Sequence, residues 1–242
     1  MDAIQQQFTQ LLEKENIFLS AHQLDQFEQY YKTLVAWNEK MNLTGITERE
    51  QVYLKHFYDS LSVSFNFSMD SVMTLADIGS GAGFPSIPLK IAFPYLKVTI
   101  VDSLNKRILF LKEIVNQLGL TDMDCVHGRA EDIARLPKYR DQFDLVTARA
   151  VARLQVLNEF CLPFVKKEGT FIAMKGSEIE EELASASYSL SELKGKVIKV
   201  NRMLLPIEES VRHFVEIQKV SATPSKYPRK AGIPLKEPLS KM

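Results

Sequence analysis

The sequence contains little cysteine and little histidine. Its 242 residues include two cysteines, Cys125 and Cys161, and four histidines that are scattered along the chain. Both cysteines stand in apolar segments, which predicts a reduced protein rather than one stabilised by disulfide bonds. Because no cysteine or histidine pair has the spacing of zinc ligands, we expect no metal site.

The chain also has no net charge, since thirty lysines and arginines balance thirty aspartates and glutamates. A neutral chain does not predict a polyanionic partner, so any surface for nucleic acid must arise from local clustering of basic residues. No apolar run reaches the roughly 18 residues of a membrane-spanning helix, and the first residues lack the basic and then apolar pattern of a secretion signal. We therefore expect a cytoplasmic protein without a membrane partner.

Glycine and proline are nearly absent from residues 1–68, where Gly45 stands alone. Apolar residues recur there at intervals of three and four, which predicts an N-terminal helical extension over residues 1–68. One such stripe consists of Leu24, Phe27, Tyr31, Leu34, Val35 and Met41. A second amphipathic helix is predicted from Thr47, and it places His56 and Asp59 on one face. Local packing is the simpler role for that pair, and a position at the rim of an active site is the alternative.

The stretch from Leu75 to Gly83 contains the most informative motif of the chain. An apolar strand is interrupted at Asp77 and runs into three alternate glycines, Gly79, Gly81 and Gly83. Such glycines allow positive φ angles and let bare backbone N–H groups approach a ligand. We therefore interpret this turn as a cofactor-binding loop.

Phe84 distinguishes two classes of cofactor site. Dinucleotide folds prefer a third glycine at this position, which lets the helix approach the strand. The pattern Asp-x-Gly-x-Gly-x-Gly is instead similar to the first motif of S-adenosylmethionine-dependent methyltransferases, where the loop wraps the methionine half of the ligand. Glycines also close ordinary strand-to-helix turns, so the motif alone leaves that alternative open.

Functional candidates follow three further predicted strands. Asp102 ends the second strand, 23 positions after Gly79, and its oxygens could accept both ribose hydroxyls. Glu131 follows the third strand and is the candidate on the adenine side, although it could merely charge the first turn of a helix. Arg149 follows the fourth strand at the topological switch point, where a guanidinium suits an anion clamp or a guanine reader. The alternative for Asp102 is a surface aspartate that caps the next helix. The alternative for Arg149 is a structural ion pair.

Five strand–helix units followed by two consecutive strands predict an α/β fold with a seven-stranded, mostly parallel sheet over residues 69–220. This is the Rossmann-like shape of class I methyltransferases. Within it, Leu154 to Val165 predict a helix with Pro163 near its end, and Gly169 to Lys175 predict the fifth strand. Residues 221–242 differ in composition and form a basic, proline-containing C-terminal tail. From Lys219 onward, six basic residues face a single acidic one. Such a tail predicts RNA contact or, equally well by composition, a frayed end.

Several segments together resemble the glucose-inhibited division protein B family, bacterial methyltransferases that act on guanine N7 of small-subunit ribosomal RNA. The segments are Trp37-Asn38, Met41 to Thr44, His56 to Leu61, Asp77 to Pro85, Arg129 to Glu131, Ala148 to Ala150 and Tyr227 to Pro234. They span most of the chain, and their combination is far more specific than the glycine motif alone.

The resemblance implies methyl transfer from S-adenosylmethionine to N7 of one guanine of 16S ribosomal RNA near the decoding centre. The implied donor-site residues are Asp77, Gly79, Gly81, Gly83, Phe84, Asp102, Ser103, Leu104, Ala130, Glu131 and Arg149. The implied RNA-contact residues are Arg229, Lys230 and Lys236. The expected partner is 16S ribosomal RNA or the small ribosomal subunit, and the expected state is a monomer without a metal.

Guanine N7 carries a free lone pair, so its methylation needs no general base, and Arg149 is expected to position the substrate through guanine O6 or a phosphate. Other methylations require groups that are missing from the corner after the fourth strand. These are an Asn/Asp-Pro-Pro-aromatic sequence for adenine amino groups, a cysteine nucleophile for cytosine carbon 5, and an aspartate to act with Lys175 on a ribose hydroxyl. Two other classes remain as alternatives: a NAD-dependent oxidoreductase, which Phe84 disfavours, and a non-catalytic ribosome-binding factor that retains S-adenosylmethionine.

Overall fold

A computed structural model of the chain describes residues 1–240. The strands are β1 (Thr74–Ile78), β2 (Lys97–Asp102), β3 (Met123–His127), β4 (Phe143–Arg149), β5 (Val165–Lys175), β6 (Gly195–Leu204) and β7 (Val211–Lys219). The α-helices are α1 (Ala3–Glu13), α2 (Ala21–Asn38), α3 (Arg49–Val52), α4 (Asp59–Leu61), α5 (Val63–Asn66), α6 (Ser86–Ala92), α7 (Asn105–Gln117), α8 (Ala130–Ile133), α9 (Leu154–Cys161), α10 (Glu180–Glu192) and α11 (Ile233–Lys236). A π-helical segment, π1 (Tyr53–Tyr58), lies between α3 and α4.

The seven strands form one sheet in the order β3-β2-β1-β4-β5-β7-β6. Strands β1 to β5 run parallel, and β7 is antiparallel to both β5 and β6. The strand order reverses between β1 and β4, so the ends of these two strands form the topological switch point. The predicted α/β fold with its antiparallel edge hairpin is confirmed.

The helix predicted over Leu154 to Val165 is too long. Helix α9 ends at Cys161, because Pro163 follows closely and cannot continue a helix. Val165 instead begins β5 and pairs with Phe143, with a register irregularity before Leu145. The fifth strand is therefore longer than the predicted Gly169 to Lys175.

Two hydrophobic clusters cover the two faces of the sheet. The first joins α1, α2 and π1 to α6, α7 and the sheet; Phe8, Phe27 and Phe57, all buried, belong to it together with Leu75 of β1. The second lies beneath α8, α9 and α10 and includes Tyr227 from the C-terminal tail. The N-terminal helices thus share a core with the sheet, and the boundaries at residues 68 and 220 stay a prediction.

Helix α2 is fixed to the sheet layer by side-chain amides. The Nε2 of Gln23 donates to the carbonyl of Ile91 at 2.7 Å, and that of Gln26 donates to the carbonyl of Leu118 at 2.7 Å. The predicted stripe extended to Met41, but the helix ends at Asn38, whose Oδ1 accepts from the backbone N–H of Leu43 at 2.7 Å. This side-chain cap turns the chain out of the helix, as asparagine commonly does.

The second amphipathic segment begins one residue later than predicted. Glu48, not Thr47, caps it by accepting from the backbone N–H of Gln51 at 2.9 Å. The chain then widens into π1, which contains His56 and leads directly to Asp59. Single π-helical turns are uncommon and frequently lie at functional sites.

The C-terminal segment, which we define as residues 221–240, packs against the body of the protein. The Arg140 guanidinium donates to the carbonyls of Thr223 at 2.9 Å, Pro224 at 3.1 Å and Tyr227 at 2.9 Å. Lys241, which contributed to the predicted basic excess, lies outside the described residues. Because Arg140 binds three backbone carbonyls of the C-terminal segment, this segment follows a fixed path across the surface.

Candidate functional site

The glycine turn after β1 requires glycine for two different reasons. All three glycines have positive φ, 73° at Gly79, 63° at Gly81 and 98° at Gly83, which disfavours residues with side chains. Space is also limited, because a Cβ at Gly79 would lie 2.8 Å from Val151 and one at Gly83 would lie 2.7 Å from the Tyr30 hydroxyl. The predicted left-handed geometry of the loop is therefore present, and the loop backbone is held close to its neighbours.

Tyr30 of α2 supports this loop through a hydrogen bond and ring stacking. The Tyr30 hydroxyl donates to the carbonyl of Ala82 at 2.5 Å, and its ring stacks on Phe84 with centroids 5.5 Å apart. Phe84 also stacks on His56, with ring centroids 4.5 Å apart. Phe84 is buried, so the side chain that replaces the third glycine fills the space between α2, π1 and the loop.

Asp77 shapes the loop from within the core. Its Oδ2 accepts from the backbone N–H of Ser86, the first residue of α6, at 3.2 Å. Burial raises the pKa of this carboxyl to about 6. Asp77 thus ties the end of β1 to the start of α6, and a direct contact with a cofactor stays a prediction.

Asp102 connects the second strand to the glycine loop. Its Oδ1 accepts from the backbone N–H of Leu104 at 2.9 Å, and its Oδ2 accepts from that of Gly81 at 3.1 Å and from Arg107 Nη1 at 3.4 Å. A carboxylate offers about four acceptor positions, so Oδ1 retains one for a ligand. The predicted contact to both ribose hydroxyls would require the Arg107 side chain to move away.

A cavity of about 160 Å³, the donor cavity, opens between the ends of β1, β2 and β3. It is lined by Ile78, Gly79, Val101, Ser103, Gly128, Arg129, Ala130, Glu131, Val151, Phe160 and Leu235. The predicted Gly79, Ser103, Ala130 and Glu131 therefore meet in one place. Mainly apolar walls with one carboxylate, that of Glu131, suit a nucleoside, which presents a flat base and hydroxyl groups; Asp102 itself does not line the cavity. The residues present fit the adenosyl part of S-adenosylmethionine.

A second cavity, of about 360 Å³, lies beside the end of β4 and is lined by several cations. We call it the cationic cavity. Its lining residues are Ile46, Lys55, His56, Asp59, Arg149, Ala150, Met174, Lys175, Gly176 and Arg212. A cavity with four basic side chains suits an anionic or acceptor-rich ligand such as a nucleotide.

Asp59 organises the cationic cavity. Its Oδ2 accepts from Arg149 Nη1 at 2.9 Å, and its Oδ1 accepts from Arg212 Nε at 2.9 Å. The carboxylate is buried, whereas both guanidiniums are partly exposed. Asp59 therefore holds two guanidiniums in fixed positions at the cavity wall.

Arg149 both forms an ion pair and lines the cationic cavity. Besides its ion pair, its Nη1 donates to the carbonyl of Lys55 in π1 at 3.2 Å, and its guanidinium lies 5.0 Å from the centre of the Phe84 ring. The structural ion pair that was the alternative for Arg149 does exist. It does not remove Arg149 from the cavity wall, because the same side chain lines the cavity.

His56 is positioned as a neutral side chain. Burial and the nearby Arg149 guanidinium lower its pKa to about 3. One ring nitrogen, Nε2, lies 2.8 Å from the hydroxyl oxygen of Thr44, and the ring stacks on Phe84. The helical periodicity predicted that His56 and Asp59 lie on one face. It did not predict a role for Arg212, which lies 153 positions from Asp59.

The three predicted RNA-contact residues differ in their surroundings. The Arg229 guanidinium pairs with the buried carboxylate of Glu159, with Nη2 2.7 Å from Oε2 and Nε 3.0 Å from Oε1. A phosphate at Arg229 would have to compete with this ion pair. Lys230 and Lys236 are exposed to solvent. Contact of all three with RNA stays a prediction.

Two kinds of feature are absent from residues 1–240. No group of three or more His, Cys, Asp or Glu side chains is arranged to hold a metal ion in this part of the chain. Within the same residues, no helix has the length and apolar character needed to cross a membrane.

Comparison with solved structures identifies the fold. A crystal structure described as a SAM dependent methyltransferase from Aquifex aeolicus has a TM-score of 0.52 and 18% identity, covering 76% of this chain and 97% of that one. The M. jannaschii TYW2 structure in complex with AdoMet has a TM-score of 0.54 and 14% identity, covering 73% and 80%. At these identities the likeness concerns the fold alone.

Comparison with curated sequences identifies the family. A protein named Ribosomal RNA small subunit methyltransferase G from Halalkalibacterium halodurans is 58% identical over 234 residues, which is 97% of this chain and 98% of that protein. A protein of the same name from Bacillus pumilus is 56% identical, with the same coverage. The family model described as "GidB: rRNA small subunit methyltransferase G" matches residues 23–214. The chain therefore belongs to the GidB family, the rRNA small subunit methyltransferases G.

Proposed function

We propose that the protein transfers the methyl group of S-adenosylmethionine to N7 of a guanine in 16S ribosomal RNA near the decoding centre. The observation that carries this proposal is the cationic cavity, whose Arg149 wall also contacts Phe84 next to the glycine loop. An acceptor base bound there would lie beside the donor-binding loop. Family membership supports the reaction class, and it supports neither an oxidoreductase nor a non-catalytic factor.

The donor would be held by the lining of the donor cavity together with the glycine loop and the residues that follow β2. The backbone of Gly79, Gly81 and Gly83 would face its methionine half, and Asp102 with Ser103 and Leu104 would meet the ribose. Ala130 and Glu131 would flank the adenine, and Asp77 and Phe84 would keep the loop in shape. When bound, S-adenosylmethionine supplies an electrophilic methyl group on its sulfonium.

The acceptor would be positioned without a proton transfer. The lone pair of guanine N7 is available for attack, so the chain needs to align the base and exclude water rather than supply a base. The neutral His56 agrees with this, because its pKa of about 3 makes it a poor base at neutral pH. The role of the chain is therefore geometric and electrostatic.

Electrostatics favour guanine O6 or a phosphate as the partner of Arg149. Methylation at N7 makes the purine cationic, and a full positive charge 4 Å away opposes that change by about 4 kcal/mol at an effective dielectric constant near 20. Asp59 reduces this opposition, since one carboxylate lies between the two guanidiniums of Arg149 and Arg212. Arg149 can then donate to O6 or a phosphate at a smaller electrostatic cost to N7.

We also propose that the substrate is 16S ribosomal RNA within the small subunit or free, that Lys230, Lys236 and Arg229 contribute to binding it, and that the protein acts as a cytoplasmic monomer. The test is transfer of methyl label from S-adenosylmethionine to small subunits from cells that lack the enzyme. Label in 16S ribosomal RNA supports the proposal. Donor binding without any label in RNA would contradict it.

A further inference from the structure

We infer that the C-terminal segment forms one wall of the donor site and that Leu235 contacts the adenine ring of bound S-adenosylmethionine. This inference rests on the proposed function, because it concerns the same donor. It assigns to the segment a role in donor binding that the sequence did not predict, since composition indicated either RNA contact or a frayed end.

Leu235 is an apolar side chain that faces the donor cavity. It lines this cavity together with Ala130 and Phe160, yet 51% of it is exposed. A ligand in the cavity would cover part of that surface. Burial of apolar surface is favourable, so Leu235 would contribute to affinity most strongly against a flat, apolar part of the ligand.

Glu131 links the C-terminal segment to the wall of the cavity. It is buried, and its Oε1 accepts from the backbone N–H of Gly232 at 2.8 Å, three residues before Leu235. The residue that the sequence predicts on the adenine side therefore also holds the segment. This contact places Leu235 at the adenine end of the donor site rather than at the methionine end.

The segment is held on both sides of this contact. Upstream, Arg229 pairs with the buried Glu159 of α9, and Arg135 donates to the carbonyl of Pro228. Downstream, Leu239 is buried in the same hydrophobic cluster as Phe160. Because loss of this contact would leave the buried Glu159 carboxylate without its partner, the segment would keep its position when the ligand is absent. A preformed wall costs less conformational entropy on binding than one that must be ordered.

The test is calorimetric binding of S-adenosylhomocysteine to the full-length protein. We expect Leu235→Ala to weaken binding about fivefold, because the change removes about half of a buried leucine contact. Leu235→Met, which keeps the apolar surface, should bind within about twofold of the parent. Leu109→Ala is the matched control, since Leu109 is 53% exposed and does not line the donor cavity.

A second ligand identifies the part of the donor that Leu235 contacts. Binding of 5′-deoxy-5′-methylthioadenosine, which has the adenine but no amino acid, should lose the same factor in Leu235→Ala. The inference would be overturned if Leu235→Ala and the parent bound S-adenosylhomocysteine with equal affinity. It would also be overturned if Leu235→Ala weakened the binding of S-adenosylhomocysteine but not that of 5′-deoxy-5′-methylthioadenosine. If the parent itself does not bind S-adenosylhomocysteine, the proposed function fails, and the two failures are thus distinguishable.

Discussion

Replacing Asp59 with asparagine should destabilise the protein and slow the reaction without weakening donor binding. Asp59 forms two ion pairs, each at 2.9 Å, with Arg149 and Arg212. At an effective dielectric constant near 20, each pair is worth about 6 kcal/mol before desolvation is counted. Loss of one partner of a buried pair typically costs about 3–5 kcal/mol. We expect about 3 kcal/mol, because the amide oxygen can still accept one hydrogen bond.

The effect of Asp59→Asn on the reaction follows from the same contacts. Without the carboxylate, the guanidiniums of Arg149 and Arg212 repel each other and lose their fixed positions. We expect kcat to fall at least tenfold, about 1.4 kcal/mol, while the Kd for S-adenosylhomocysteine stays within about twofold of the parent. Denaturant unfolding, steady-state kinetics and calorimetry measure the three quantities.

Glu208→Gln is the control for Asp59→Asn. Glu208 pairs with Lys55 at 2.7 Å, but both side chains are about 30% exposed. Solvent screens such an exposed pair, so the control should lose little stability. Asp59 does not organise the cationic cavity if Asp59→Asn loses no more stability than the control, or if the folded Asp59→Asn variant keeps the kcat of the parent.

Three further predictions concern the donor site, the lysines and pH. Asp102→Ala should weaken S-adenosylhomocysteine binding at least tenfold in calorimetry, and unchanged affinity would remove Asp102 from the site. Lys230→Ala with Lys236→Ala should weaken RNA binding and reduce its logarithmic salt slope by about 0.7 to 0.9 per lost contact; an unaltered slope would exclude these contacts. The pKa of His56 is about 3 when folded and 6.5 when unfolded, so the unfolded state binds the proton first as pH falls. The unfolding free energy should drop by about 2 kcal/mol from pH 7 to pH 5 through this group, and a drop just as large in His56→Gln would contradict this assignment.

The fold was predictable because its signals are local. Strands such as β1 and β2 are short, mainly apolar runs, and each is followed by a helical segment. The glycine loop was predictable for the same reason, since positive φ at Gly79, Gly81 and Gly83 demands one residue type. Errors fell at element ends, where Asn38 caps α2 and Pro163 follows α9, because competing local interactions decide such boundaries.

The cationic cavity could be predicted only in part. Arg149 followed from its position at the topological switch point, but its partner Asp59 lies 90 positions away in another segment. The widened turn of π1, which presents the carbonyl of Lys55 to Arg149, has no simple periodicity in sequence. Leu235 was unpredictable for a different reason, since a basic, proline-containing tail does not reveal by composition where it docks.

The most direct test of the central claim is to map the methylated atom. Small subunits from cells that lack the enzyme would be incubated with the protein and S-adenosylmethionine. Their 16S ribosomal RNA would then be treated with borohydride and aniline, which cleave the chain at 7-methylguanosine. We expect one new cleavage near the decoding centre, which requires both the protein and the donor and is weaker in Asp102→Ala at donor concentrations below saturation. Methyl label in the RNA without cleavage at that guanine would contradict the account, because the acceptor would then be an atom other than N7.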